Sequence, residues 1–168
     1  MNIQRLWSQT PVFGGRWTLK EAIQGKPIRH PTHSLFVHFP SALLPVAFVL
    51  DLVSRVHADE TLARAAFYNI AVGLAMAAGA VVTGLVDYLP MVAGSRKKKL
   101  GTYHLLAQAP ALALFAVSLA LRGVDFDAER TGVAPLVLAG VGTLGIMIGN
   151  YFGGELVYRQ GMRVNVDL

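Results

Sequence analysis

Three of the chain's five histidines, His30, His33 and His38, crowd into one short stretch, and His104 stands alone much further along. Neutral imidazole is a ligand for haem iron and for zinc or iron ions, provided separate elements bring the nitrogens to one point. Asp87 and Glu155 are carboxylates set in otherwise apolar sequence. An ionisable group at membrane depth costs roughly 2–3 kcal/mol on insertion scales, so it faces the protein interior and marks function or a buried partner. Cysteine is absent, which excludes thiolate-ligated clusters, covalent haem attachment, disulfides and a Cys nucleophile. No phosphate-cradling glycine loop, nucleophilic triad or paired acid–base site appears, so the chain is not expected to be an enzyme on its own.

The elements that must hold these residues are membrane helices. The chain has 168 residues, 54% hydrophobic and only 15% charged, with a mean hydropathy of +0.48. A soluble domain carries about a quarter charged residues. A hydrocarbon core about 30 Å thick needs roughly 20 apolar residues of helix. Four blocks meet that need: Leu35 to Ser54, Leu62 to Leu89, Leu100 to Leu121 and Val133 to Val157. The expected fold is an all-α four-transmembrane-helix bundle over 35–158, with an interfacial arm at 1–34 and a tail at 159–168. The first 30 residues lack the apolar run of a signal peptide, so the first span is expected to direct insertion.

Lys and Arg in the flanking segments set the orientation. Eleven lie before the first span, in the run Arg96 to Lys99, or after the fourth span; only Arg55, Arg64, Arg122 and Arg130 lie on the other side. Both termini are therefore expected in the cytoplasm, and the setting to be a bacterial inner membrane. The net charge of +5 is explained by these flanks, so a nucleic-acid partner is not expected; anionic lipid or an acidic partner is. Trp7, Phe13 and Trp17 read as interfacial. Thr18 and Glu21 form a capping box for a short helix that Gly25 and Pro27 end.

Helices associate in lipid by close backbone approach. Gly145, Gly149 and Gly153 make a doubled G-x-x-x-G on the fourth span, and Gly79 lies in a small-residue stripe on the second. These predict tight seams, within the bundle or with another subunit. With the orientation above, His38, Asp87, His104 and Glu155 come to one depth at the cytoplasmic boundary, with His30 and His33 just before it. On the other side Asp51 is expected to pair with Arg55 or Asn69, with no comparable cluster.

Two imidazoles at equal depth on two helices suit a bis-histidine b-type haem, and His38 and His104 are the expected ligands. His30, His33, Asp87 and Glu155 would support or replace them. The same groups also suit an iron or zinc ion, and equally a ligand-free His–carboxylate network that fixes helix register. Three functions follow: an electron-transfer subunit, a non-catalytic accessory or anchoring subunit of a larger complex or oligomer, and a metal-binding or metal-transport protein. The few charges at mid-depth in the second and third spans disfavour transport.

The stretch His30-Pro31-Thr32-His33-Ser34-Leu35-Phe36-Val37-His38-Phe39-Pro40 resembles the H-P-x-H-P-x-x-V-H-F-P opening of a family of bacterial four-helix membrane proteins of unknown function. Thr83 to Asp87, His104, and Gly153 to Tyr158 with Gly161 are similar to its later motifs. Ser34 and Gln108 depart from the pattern, replacing a proline and an asparagine. The resemblance covers the chain from about residue 30. It implies a helical bundle carrying the histidine set, and, since some members are joined to a Rieske-type domain, a redox context.

Overall fold

The computed structural model describes residues 7–124 and 126–164. Arg5 of the charge balance and residues 165–168 of the expected tail lie outside them. Among the described residues, 7–9 are helical and two short strands follow, β1 (Pro11–Val12) and β2 (Trp17–Thr18), paired antiparallel with Pro11 opposite Thr18. Then come α1 (Leu19–Ile23) and a 3-10 turn (Lys26–Ile28). Four long helices follow: α2 (Thr32–His57), α3 (Glu60–Tyr88), α4 (Arg96–Gly123) and α5 (Val133–Gly154), the last running into a π-helical turn (Glu155–Arg159). Each of the four is long and apolar enough to cross a membrane. This is the expected all-α four-helix architecture.

Local chemistry sets the boundaries. Thr18 caps α1 as expected: its hydroxyl accepts from the Glu21 N–H, and the Glu21 carboxylate accepts from the Thr18 N–H at 2.9 Å. Lys26, 2.7 Å away, and that Thr18 N–H hold the Glu21 carboxyl down at about 2. Gly25, at φ +91, turns the chain so tightly that a Cβ there would lie 1.8 Å from the His30 carbonyl oxygen. Extended Pro31 precedes α2, and the Thr32 hydroxyl donates to the Ile23 carbonyl. The helix therefore starts at Thr32 rather than Leu35, which places His33 in its first turn and Pro40 well inside it.

Packing is tightest within two hairpins, α2 with α3 and α4 with α5, and looser between them. Glycines make the close seams. A Cβ on Gly73 would lie 2.8 Å from the Leu44 side chain, and one on Gly79 would lie 2.6 Å from the Phe36 ring. On α5, Gly142 receives Phe115, Gly145 faces the Ala111 methyl, and Gly149 faces Gln108. The expected seam through Gly145, Gly149 and Gly153 thus lies inside the bundle, against α4.

The end of the bundle opposite the histidines holds its most buried polar network, contrary to the expectation that this end would be sparse. Asp51 does not pair with Arg55 or Asn69. It takes Arg122 in a bidentate pair, 2.5 Å at each oxygen, and accepts from the Thr131 hydroxyl at 2.8 Å. Arg55 instead donates to the Thr131 carbonyl, and Asn69 to the Ala65 carbonyl one turn back on its own helix. Arg122, which reads as a flanking loop charge, falls within α4 and is buried.

Removing one member of a buried pair strands the other charge and costs about 3–5 kcal/mol, whereas replacing both with apolar groups is close to neutral. Arg122→Met should therefore lower stability by about that amount, and Asp51→Leu/Arg122→Met should recover most of it. Thermal unfolding in detergent, followed by circular dichroism, measures both.

Candidate cofactor-binding site

At the opposite end, a cavity of about 430 Å³ opens between the two hairpins. That size lies within the roughly 300–1,000 Å³ typical of small-molecule and cofactor sites. Its lining is predominantly apolar, with Val37, Ala80, Leu105, Leu112 and Leu156 among the wall residues. His33 comes in from the first turn of α2 and His104 from the third turn of α4, their ring centroids 6.5 Å apart and their planes 85° to each other.

The two rings are held alike. His33 donates through Nδ1 to the Ala80 carbonyl on α3 (2.9 Å), with the Thr83 hydroxyl 3.3 Å away. His104 donates through Nδ1 to the Gly149 carbonyl on α5 (2.7 Å). A carbonyl only accepts, so each proton sits on Nδ1, and Nε2 of the neutral ring keeps its lone pair. Among the described residues neither Nε2 has a hydrogen-bond partner. Glycines give the rings room: a Cβ on Gly84 would lie 2.9 Å from His33, and one on Gly153 would lie 3.3 Å from His104.

Not every expected residue reaches this site. His38 is exposed on α2 and does not line the cavity, so the pairing expected of it falls to His33. Five residues after His33, it lies about 140° around the helix. His30 is at the cavity wall but solvent-exposed. Glu155 pairs with Arg159 four residues on, at 3.1 Å, and is not part of the lining.

Asp87 does reach the cavity, where it joins three distant segments. It accepts from the Gln24 amide at 3.0 Å and from Arg163 through Nε at 3.1 Å, with a second bond from the same guanidinium. One carboxylate thus ties the N-terminal arm and the tail to α3 over the cavity. Deeper in, Asn150 accepts from Gln108 (3.0 Å) and Ser41 (3.2 Å), a polar patch joining α2, α4 and α5. Sequence reasoning passed over Gln24, Asn150 and Arg163. Only Asn150 carried a signal, an amide inside the glycine seam; the other two lie outside the spans. The π-helical turn after α5 sends Leu156 into the cavity, and the returning tail is fixed by the Met162 N–H on the Leu156 carbonyl at 3.0 Å.

Comparison with known families is decisive over residues 29–166, which match the family described as "Predicted membrane protein (DUF2231)". The chain belongs to the DUF2231 family. The match begins with the His30 to Pro40 stretch and takes in all four long helices of this DUF2231 protein. No curated protein and no solved structure matches the chain.

Hydrogen bonds to a charged group contribute about 1.5–3 kcal/mol, so Asp87→Asn should raise local opening of the tail roughly tenfold or more. Hydrogen exchange read by mass spectrometry over residues 160–164 measures the change. Exchange at the centres of α3 and α5 should stay as in the wild type.

Proposed function

We propose that this DUF2231 protein is a small membrane subunit for electron transfer that holds a b-type haem between His33 and His104. The observation that carries the reading is the pair of unpartnered Nε2 atoms in one apolar cavity, with each Nδ1 committed to a backbone carbonyl. Two imidazoles sharing one metal about 2 Å from each nitrogen have ring centroids roughly 6–6.5 Å apart, and these lie at 6.5 Å. Among the described residues no group of three His, Cys, Asp or Glu is placed to hold a bare ion. A group that brings its own equatorial nitrogens needs only two from the protein, so the residues fit haem better than zinc or non-haem iron.

A haem held by His33 and His104 would supply a one-electron couple, with the apolar lining excluding water from it. The chain's own contribution is positional. The Ala80 and Gly149 carbonyls fix tautomer and ring orientation, as outer partners of metal-bound histidines do. His30 at the cavity wall offers a hydrogen-bonding contact to acidic substituents, while the Arg163 guanidinium is engaged by Asp87. The redox context that the motif resemblance implies is in keeping with this reading. The basic flank from Arg96 to Lys99 suits anionic lipid or an acidic partner at the cytoplasmic face of a bacterial inner membrane, although Lys98 is already engaged by the Tyr88 carbonyl at 3.1 Å.

The same Nδ1 bonds favour a second reading, because each joins two helices: a cofactor-free accessory subunit in which both histidines only fix helix register. Oxidised and dithionite-reduced spectra of the purified protein, with iron analysis on the same sample, separate the two. A Soret band lost in both His33→Ala and His104→Ala but kept in His38→Ala is the expected result. Protein without the band and without stoichiometric iron would sink the haem reading.

A further inference from the structure

The buried positions of the two hairpins recur at fixed spacings. On α2 the buried residues include Pro40, Leu44, Ala47 and Asp51; on α4 they include Ala111, Phe115, Ser118 and Arg122, each 71 positions later. On α3, Ala66, Ile70, Gly73, Ala77 and Ala80 are buried; on α5, Pro135, Ala139, Gly142, Ile146 and Gly149 follow, each 69 positions later. Any two helices with one buried stripe can be superposed at some spacing, so burial alone decides nothing.

The contacts repeat at the same spacings, and they are of unrelated kinds. His33 and His104 are equivalent, and so are their acceptors Ala80 and Gly149. The glycines beside the rings, Gly84 and Gly153, are equivalent too. Leu44 fills the notch at Gly73 as Phe115 fills the notch at Gly142, each 2.8 Å from where a Cβ would be. With α2 and α4 running the same way, the relation is a parallel repeat about an axis along the bundle. Equivalent side chains of α2 and α4 then meet across that axis, His33 with His104 at one end and Asp51 with Arg122 at the other.

We propose that the chain is a tandem pair of one two-helix unit, that its two-imidazole site is completed only where a first unit meets a second, and that Asp51 and Arg122 select that pairing. Two first units facing each other would bury carboxylate against carboxylate, and two second units guanidinium against guanidinium. Only the mixed pair buries opposite charges. Each chain thereby closes one site of its own, its two units joined by residues 89–95. The inference goes beyond the haem reading and holds whatever the cavity accepts.

Charge reversal in full-length chains tests it by oligomeric state, a readout independent of any cofactor. Asp51→Arg and Arg122→Asp, each expressed alone, should lose the folded single-chain bundle. The double reversal Asp51→Arg/Arg122→Asp should regain it. Co-expressed with different tags, the two single variants should co-purify in equimolar amounts, because each chain's first unit now complements the other chain's second. Both recoveries are required, and the loss of either overturns the proposal. It is equally overturned if either single reversal is as stable as wild type, or if co-expressed wild-type chains of different tags co-purify as the single variants do.

Discussion

Hydrocarbon offers no water to a polar side chain, so each one carried into the spans must end on another group or on a cavity wall. Much of this bundle follows from that constraint. Hydroxyls of Thr83 and Thr143 return to their own helix, to the Gly79 and Ala139 carbonyls at 2.8 Å each. Asp51 and Arg122 are satisfied by each other and by Thr131 and Ser118. What is left is unusual by comparison: two histidine Nε2 atoms without a partner among the described residues, facing an apolar cavity between the hairpins. Among the described residues the buried Arg64 Nε also lacks a partner, but it belongs to a partly exposed, ion-paired side chain; the histidine nitrogens face an apolar cavity, which is why that cavity carries the functional argument.

The glycine seams set the packing around that cavity. Close approach at Gly73 and Gly79 locks α2 onto α3, and approach at Gly142 and Gly145 locks α4 onto α5. Each hairpin is thus packed more closely within itself than against the other. The hairpins meet through the Asp51–Arg122 pair at one end and line a shared apolar cavity at the histidine end. The same seams bring the Ala80 and Gly149 carbonyls within reach of imidazoles on the neighbouring helices, so backbone packing and ring orientation share one cause.

The spans were legible because long apolar runs state their own length. The glycine seam, the capping box of α1 and the inward directions of Asp87 and His104 were legible because each depends on local spacing. The choice between His33 and His38 was not. It depends on where α2 begins and how it is rotated, and these are set by Thr32 on the Ile23 carbonyl and by Phe36 and Leu44 in their glycine notches. The signal was nevertheless present. His33, Val37, Pro40, Leu44 and Asp51 follow one helical stripe, and so do His104, Gln108, Ala111, Phe115 and Arg122. Tracing both stripes to their ends would have paired Asp51 with Arg122, whereas judging Arg122 by its nearness to a loop did not. Gln24 and Arg163 reach Asp87 by tertiary folding of segments outside the spans, which no periodicity encodes.

Those two stripes divide the labour of the bundle. Each central helix carries a histidine at one end and a charge at the other, and the two kinds of group are treated oppositely. The charges differ in sign, so they neutralise each other and leave nothing for a ligand. The imidazoles are identical, so neither satisfies the other's lone pair when Nδ1 of each is already bound to a carbonyl. Opposite groups across the axis produce a closed structural contact, and identical groups leave both Nε2 lone pairs unused among the described residues. Unlike residues at one end close a contact between the two hairpins, and like residues at the other end leave two ring nitrogens facing the cavity.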